Sequence, residues 1–343
     1  MTSTSIMAQE AASSPSVIAE QLSHNQVLCR SLAQGFANHP PRAIMMIGRG
    51  TSDHAGVFAK YLFEIGCQIP VISAAPSVAG IFNSCLKLEG CLAIAISQSG
   101  QSPDILHQTK LAKQGGAFTL ALVNDEASPL AKMCDAVLPV CAGQEKAVAA
   151  TKSYLATLSA LVHLFSQWCL IDGGDATEGE KPNLLAQALT QLPEQMRQTQ
   201  ALSPLLQNAD LKDVAHCVVL GRGFGYAIAL EAALKLKEVL GIQAEAFSSA
   251  EFVHGPVTLV HKKLCVLNIC IDDESAQGHR KQIEDVKQRG GRVIDITVKN
   301  TSHPRLHALL IMQRFYLDLE RVAIERGQNP DAPIGLKKVT ETV

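Results

Sequence analysis

Apolar runs alternate with longer amphipathic stretches along most of this chain. The runs are AIMMIG at 43–48, CLAIAI at 91–96, AFTLALV at 117–123, CVVLG at 217–221, LCVLNIC at 264–270 and RVIDITV at 292–298. Each is short and nearly continuous, the pattern of strands buried on both faces in a parallel sheet. Between them lie helix-like stretches, among them GVFAKYLFEIG at 56–66, ILHQTKLAKQGG at 105–116 and YAIALEAALKLKEVLG at 226–241. Strands alternating with helices predict an α/β fold of doubly wound three-layer α/β/α units with central parallel sheets.

The pattern occurs twice. AIMMIGRGTS at 43–52 and CVVLGRGFG at 217–225 both run from an apolar stretch into glycine, with Gly48 and Gly221 separated by 221 − 48 = 173 residues. Each is followed by a helix, a second strand, a further helix ending in KQGG or KQRGG, and a third strand. Taking Gly115 and Gly290 as equivalent gives 290 − 115 = 175. The expected organisation is an N-terminal helical segment (1–34), a first unit (35–172), a linker with a bridging helix (173–207), a second unit (208–330) and a C-terminal tail completing the active site (331–343). The linker is expected at the Gly-rich and acidic IDGGDATEGEKP, followed by a helical stretch at 183–207 interrupted by Pro193.

Composition narrows the function classes. With 47% hydrophobic but only 4% aromatic residues, the cores are built from Ala, Leu, Val and Ile. Thirty basic residues against thirty-two acidic ones leave a net charge of −2 without a long basic stretch, which argues against nucleic acid as a partner. The ten cysteines stand singly, several inside apolar runs, and read as reduced core residues. No C-x-x-C occurs, and Pro304 between His303 and His307 weakens a helical metal face, so no metal is expected. The N-terminus lacks a signal-peptide pattern and no apolar run reaches membrane-spanning length, which predicts a cytoplasmic protein without a membrane partner.

In such sheets, ligands collect at the carboxyl ends of strands. After CLAIAI comes Ser97-Gln98-Ser99-Gly100-Gln101-Ser102-Pro103-Asp104, then a helix. A helix N-terminus offers unpaired N–H groups, and nearby hydroxyls add donors, so the loop suits a phosphate. It also suits plain capping, with Ser102 as N-cap and Pro103 at the first helical position. The loop Gly48-Arg49-Gly50-Thr51-Ser52 resembles a dinucleotide motif but has Asp53 where G-x-G-x-x-G needs glycine, and its counterpart has Tyr226. No phosphate loop of the G-x-x-x-x-G-K type is present. A small phosphate ester remains, with no cofactor.

Glu231, Lys235 and Glu238 fall on one helix face. They form either a solvated row of ion pairs, worth about 0.2–0.5 kcal/mol each, or proton-moving groups. Further on, Phe247-Ser248-Ser249-Ala250-Glu251-Phe252-Val253-His254-Gly255-Pro256 has Ser248 and Glu251 at capping-box spacing. His254 stands exposed before a Gly-Pro turn, and Glu and His both suit acid–base work near neutral pH.

The motifs GRGTSDHAG, ISQSGQSPD, AVAATKSY, LGRGFGYAIALEAALKLKE, AEAFSSAEFVHGP and GLKKVT appear in one order. Together they resemble the sugar isomerase (SIS) domain pair, as found in the isomerase half of glucosamine-6-phosphate synthase and its stand-alone relatives, over about residues 40–343. The resemblance implies that Glu238 moves a proton between C1 and C2 of an open-chain sugar and that His254 opens the ring. It further implies that Lys338 approaches the sugar carbonyl, with Lys235 beside the base. Gly50, Thr51, Ser52, Ser97, Gln98, Ser99, Ser102, Ala149 and Ala150 fall on substrate and phosphate loops. In the family the histidine comes from the neighbouring subunit, which implies a homodimer with shared active sites. Two features depart from the synthase pattern: Ala150 replaces a serine before Thr151-Lys152, and the residues after Lys338 differ.

The synthase obtains ammonia through an N-terminal domain beginning with a nucleophilic cysteine. Here Thr2 follows Met1, and little chain precedes the first repeat, so glutamine hydrolysis is not expected. The expected function is glucosamine-6-phosphate deaminase, converting glucosamine 6-phosphate and water to fructose 6-phosphate and ammonia. Galactosamine-6-phosphate deaminase/isomerase or another amino-sugar-phosphate deglycase is the alternative, to be decided by the 142–150 loop. A non-catalytic sugar-phosphate sensor ranks below either.

Overall fold

In the computed structural model, residues 4–172, 182–299 and 301–338 are described. They divide into two compact units. The first holds the described residues of Ser16–Glu145 and Lys152–Thr190, and the second those up to Pro15, Lys146–Thr151 and Gln191–Lys338. Part of the expected linker, 173–181, lies outside the described residues.

After the long helix α1 (Ile6–Asn38), the first unit alternates β1 (Ile44–Ile47), α2 (Thr51–Gly66), β2 (Val71–Ser73), α3 (Pro76–Gly80), β3 (Leu92–Ser97), α4 (Pro103–Gln114), β4 (Phe118–Val123), α5 (Pro129–Met133) and β5 (Ala136–Pro139). The sheet order is β2-β1-β3-β4-β5 and every pairing is parallel. The order reverses between β1 and β3, the place where doubly wound sheets open a crevice at their carboxyl edge. All six residues of β3 are buried, as a strand covered on both faces requires.

Two helices follow, α6 (Lys152–Asp172) and α7 (Pro182–Gln200). Pro193 lies inside α7 without ending it, and the helix stops at Gln200 rather than Gln207. By length and hydropathy α6 would pass for a membrane span, contrary to the expectation that no run reaches that length. Yet 78% of its most apolar window is buried in the protein. Its Phe165 and Trp168 pack against Phe63 of α2 with ring centroids 6.1 and 5.9 Å apart. Such aromatic pairs add about 0.5–1.5 kcal/mol beyond area burial.

The second unit repeats the theme with β6 (His216–Gly221), α8 (Phe224–Leu240), β7 (Gln243–Ser248), α9 (Ser249–Phe252), β8 (Cys265–Asn268), α10 (Ala276–Gln288), β9 (Arg292–Asp295) and α11 (Pro304–Glu325). Its parallel sheet runs β7-β6-β8-β9. One landmark of the repeat shifts by a residue. Gly116 (φ 92°) and Gly290 (φ 91°) share the left-handed conformation that ends the third helix of each repeat. Their N–H groups donate to Lys113 and Lys287 respectively. The spacing is therefore 290 − 116 = 174, and Gly115 is not the partner of Gly290. The ten cysteines are free, but only Cys29, Cys217, Cys265 and Cys270 are fully buried, and Cys85 is exposed.

Burial holds several histidines neutral. Desolvation lowers His163, His279 and His303 to about 4 and lowers His307 as well. His303 instead caps α11 by accepting the N–H of Arg305. Because these folded-state values lie below the ordinary 6.5, their stability contribution is complete above pH 6.5 and is lost as pH falls toward 4. Each of the three histidines at about 4 can remove up to about 1.4 kcal/mol per pH unit in that window. Urea midpoints measured from pH 8 to 4.5 are expected to be flat above 6.5 and to fall progressively below it.

Candidate active site

Glycine geometry sets the first loop. A Cβ on Gly48 would stand 2.9 Å from the Ser52 carbonyl carbon, so the strand leads into the helix too closely for any side chain. Gly50 then takes φ 51°, directly before Thr51 starts α2. Thr51 and Ser52 are half-buried there, and Arg49 is exposed. The Arg49 Nε meets Asp104 Oδ2 at 2.7 Å, tying this loop to the first turn of α4.

The serine loop lies at the carboxyl end of β3. Ser97 is buried, whereas Gln98, Ser99 and Ser102 are half-buried. The Ser97 hydroxyl accepts the N–H of Gly100 at 3.1 Å, and Ser99 accepts that of Gln101 at 3.3 Å. A hydroxyl used as acceptor keeps its own proton to donate, so both can still serve an anion. Gly100 has φ 61°, and a Cβ there would be 2.3 Å from Ser128 Oγ. Ser102 occupies the N-cap position of α4, but its side chain makes no capping bond. Capping therefore does not account for that hydroxyl. The loop combines three hydroxyls with the N-terminus of a twelve-residue helix, an arrangement suited to phosphate.

In the second unit, Glu231, Lys235 and Glu238 do not form a solvated row. Glu231 and Lys235 are buried, and the Glu238 side chain keeps 21% exposure. Lys235 Nζ contacts Glu238 Oε2 at 2.5 Å and Glu231 Oε1 at 3.3 Å. Tyr316 of α11 donates its hydroxyl to Glu231 at 3.1 Å. Burial pulls the lysine pKa down, but the two carboxylates more than offset this and leave it raised. Glu238 is the outward member of the three, held in place by the charged Lys235.

His254 is exposed, and its side chain makes no hydrogen bond or ion pair with that cluster. The capping box expected at Ser248 and Glu251 is not made, since Ser248 forms no side-chain cap bond at α9. Lys338 donates to the Ala147 carbonyl at 2.7 Å. This brings it to the segment that carries buried Ala149 and half-buried Ala150. That segment, Lys146–Thr151, belongs to the second unit. So the predicted residues other than His254 fall into three local groups: the serine and glycine loops of the first unit, and the helix α8 cluster and the Lys338–Ala147 contact of the second.

Sequence reasoning did not single out Tyr316, Glu10, Asp331 or the Arg49–Asp104 pair. An acidic residue in the first turn of α4 beside an anion loop was a readable cue for Arg49 as its partner. Glu10 and Asp331 bind backbone N–H groups far away in sequence, and no local pattern announces that.

A model of the SIS domain family matches residues 39–167 and 210–313. The glutamine–fructose-6-phosphate aminotransferase of Thermococcus kodakarensis is 31% identical over 350 residues, covering 97% of this chain and 57% of that enzyme. The chain thus spans little more than half of that relative's length. Among solved structures, a Silicibacter pomeroyi protein assigned as a phosphosugar isomerase matches with TM-score 0.87 and 31% identity, over 96% of this chain and 100% of that one. The glucosamine-6-phosphate deaminase of Thermotoga maritima matches with TM-score 0.73 over 98% and 100% of the two chains. At 23% identity, that likeness extends to the fold alone.

Removing the central cation tests the cluster. Lys235→Met leaves two carboxylates around an apolar side chain, and unfolding free energy is expected to drop by about 3–5 kcal/mol in urea titrations at pH 7. Because the folded-state lysine is raised, its stabilisation is complete below its ordinary 10.5 and declines as pH rises through the folded value. The variant's deficit should therefore be constant from pH 7 to 10 and shrink only above that.

Proposed function

Because the chain belongs to the SIS domain family, we propose that it interconverts aldose and ketose forms of a hexose 6-phosphate, and that its substrate is an amino sugar: it is a glucosamine-6-phosphate deaminase. The observation that carries this reading is the buried Lys235 clamping Glu238 at 2.5 Å, with Glu231 held behind it by Tyr316. Such a cluster is costly to bury, and its outward carboxylate has the chemistry of a base working over two adjacent carbons.

In this reading the phosphate is taken by Ser97, Ser99 and Ser102, with Gln98, Gly50, Thr51 and Ser52 completing the loops. His254 assists ring opening. Glu238 removes the C2 proton and returns it to C1, while Lys338 faces the charge that develops on the oxygen of the open-chain sugar. Water then adds to the resulting C2 imine and ammonia leaves, giving the ketose phosphate. An isomerase half handles only the sugar, and this direction needs no nitrogen donor besides the substrate itself. Residues 35–172 and 208–330 are taken as the two SIS domains.

We also propose a homodimer in which His254 serves the neighbouring subunit. Its exposure, with no side-chain hydrogen bond or ion pair among the described residues, supports this.

The direct test is ammonia release from glucosamine 6-phosphate and galactosamine 6-phosphate. Release from the first is expected, with a loss of about 10²–10⁴-fold in Glu238→Gln and an unchanged circular dichroism spectrum. Release from the second alone would reassign the substrate epimer, and release from neither would remove the deaminase reading. For the shared site, His254→Ala and Glu238→Gln should each be inactive alone and regain part of the activity when mixed and allowed to exchange subunits. If mixing restores nothing, the shared-site proposal fails.

A further inference from the structure

We infer that Glu10, in the first turns of α1, is a positioning residue that sets the place of Lys338 by holding the Lys146–Thr151 strap. This rests on the role proposed for Lys338 above.

Glu10 is buried, although a carboxylate there needs strong partners to offset its lost hydration. It finds them in two consecutive backbone groups: Oε1 accepts the N–H of Lys146 at 2.5 Å and Oε2 that of Ala147 at 3.2 Å. The carbonyl of the same Ala147 accepts the Lys338 ammonium at 2.7 Å. The third N–H of the strap, on Val148, donates to the carbonyl of Asp331 at 3.0 Å. The Asp331 carboxylate in turn accepts the N–H groups of Ile6 and Met7 at 3.0 and 2.8 Å, and so caps the start of α1. The bonds form a closed circuit, from α1 through Asp331, Val148 and Ala147 to Glu10 and back to α1. Three successive N–H groups of the strap are anchored in this way, and Ala149 and Ala150 follow at once.

A closed circuit built from charge-assisted bonds and one backbone bond defines a position more sharply than a single contact does. Glu10 therefore acts on the reaction through Ala147 and Lys338 rather than by touching substrate. A glutamine at 10 has one carbonyl oxygen where the carboxylate has two, so one strap N–H loses its acceptor and the charge disappears.

The experiment compares wild type, Glu10→Gln, Lys338→Met and the double variant on glucosamine 6-phosphate, with amide hydrogen exchange followed at residues 146–148. Glu10→Gln is expected to lower kcat at least tenfold with KM within about threefold, and to speed exchange at 146–148 at least tenfold. In the Lys338→Met background the same substitution should cost no further activity, because the two act as one unit. Equal losses in both backgrounds would overturn the inference, as would unchanged exchange or unchanged kcat in a stable Glu10→Gln protein. Should Glu10→Gln fold poorly, Asp331→Asn reads the same circuit from its other side and should likewise speed exchange at 146–148. If exchange stays slow in that protein, the circuit is not what orders the strap and the inference falls. Wild-type inactivity on the sugar would count against the proposed function, and the exchange measurement would then decide the clasp alone.

Discussion

Everything at the candidate site follows from how closely a helix is allowed to approach the end of a strand. In both repeats a glycine with no room for a Cβ stands at the end of the strand: a Cβ on Gly48 would press on the backbone of Ser52, and one on Gly221 would lie 2.2 Å from the carbonyl oxygen of Gly225. Two residues later a second glycine takes nearly the same conformation, φ 51° and ψ −124° at Gly50, φ 55° and ψ −127° at Gly223. An L side chain resists that geometry. The pair lets α2 and α8 start hard against the carboxyl edge of their sheets, where loops with exposed N–H groups gather. The serine loop gains its neighbour at Arg49 in this way, and α8 is sunk deep enough that Glu231 and Lys235 lose contact with water.

That depth gives the α8 cluster its character. The same Glu-Lys-Glu spacing on an exposed helix would contribute a few tenths of a kcal/mol per pair. Under α11 the carboxylates cannot be left unpaired, so Lys235 stays protonated and Tyr316 supplies the remaining donor to Glu231. Only Glu238 reaches outward. Burial thus separates an enclosed carboxylate from one that reaches outward, although the two are only about two turns apart on one helix face.

How much of this could be read in advance depended on how local the cause was. The central strands announced themselves as apolar runs because both their faces are covered. β2 and β7 did not, since Val71–Ser73 is largely exposed and in Gln243–Ser248 Ala244 alone is fully buried, as on half-covered edge strands. The helical face of Glu231, Lys235 and Glu238 was legible from spacing, but its burial depends on α11, some eighty residues later in the chain. The sequence points to Gly115 rather than Gly116 as the partner of Gly290 because two adjacent glycines look alike, and only the left-handed φ of Gly116 separates them. Asp331 and Glu10 act on backbone groups, which carry no residue identity to recognise.

The two repeats also show why one fold used twice need not make two anion sites. With the spacing of 174 set by Gly116 and Gly290, Gln98, Ser99 and Gly100 correspond to Asp272, Asp273 and Glu274. The second loop has carboxylates where the first has an amide, a hydroxyl and a glycine. Those carboxylates are already engaged: Arg305 binds Glu274 through two bonds of 2.9 and 3.0 Å, Arg280 meets Asp272 at 2.6 Å, and Ser275 donates to Asp273. The second repeat has built its own anion into the position, and an incoming phosphate would meet like charge rather than donors. The serine loop instead presents the hydroxyls of Ser97, Ser99 and Ser102, and its acidic residue, Asp104, is paired with Arg49. The two repeats share equivalent helix starts, but the loops before α4 and α10 carry different side chains, so one backbone geometry presents hydroxyls in the first repeat and carboxylates in the second.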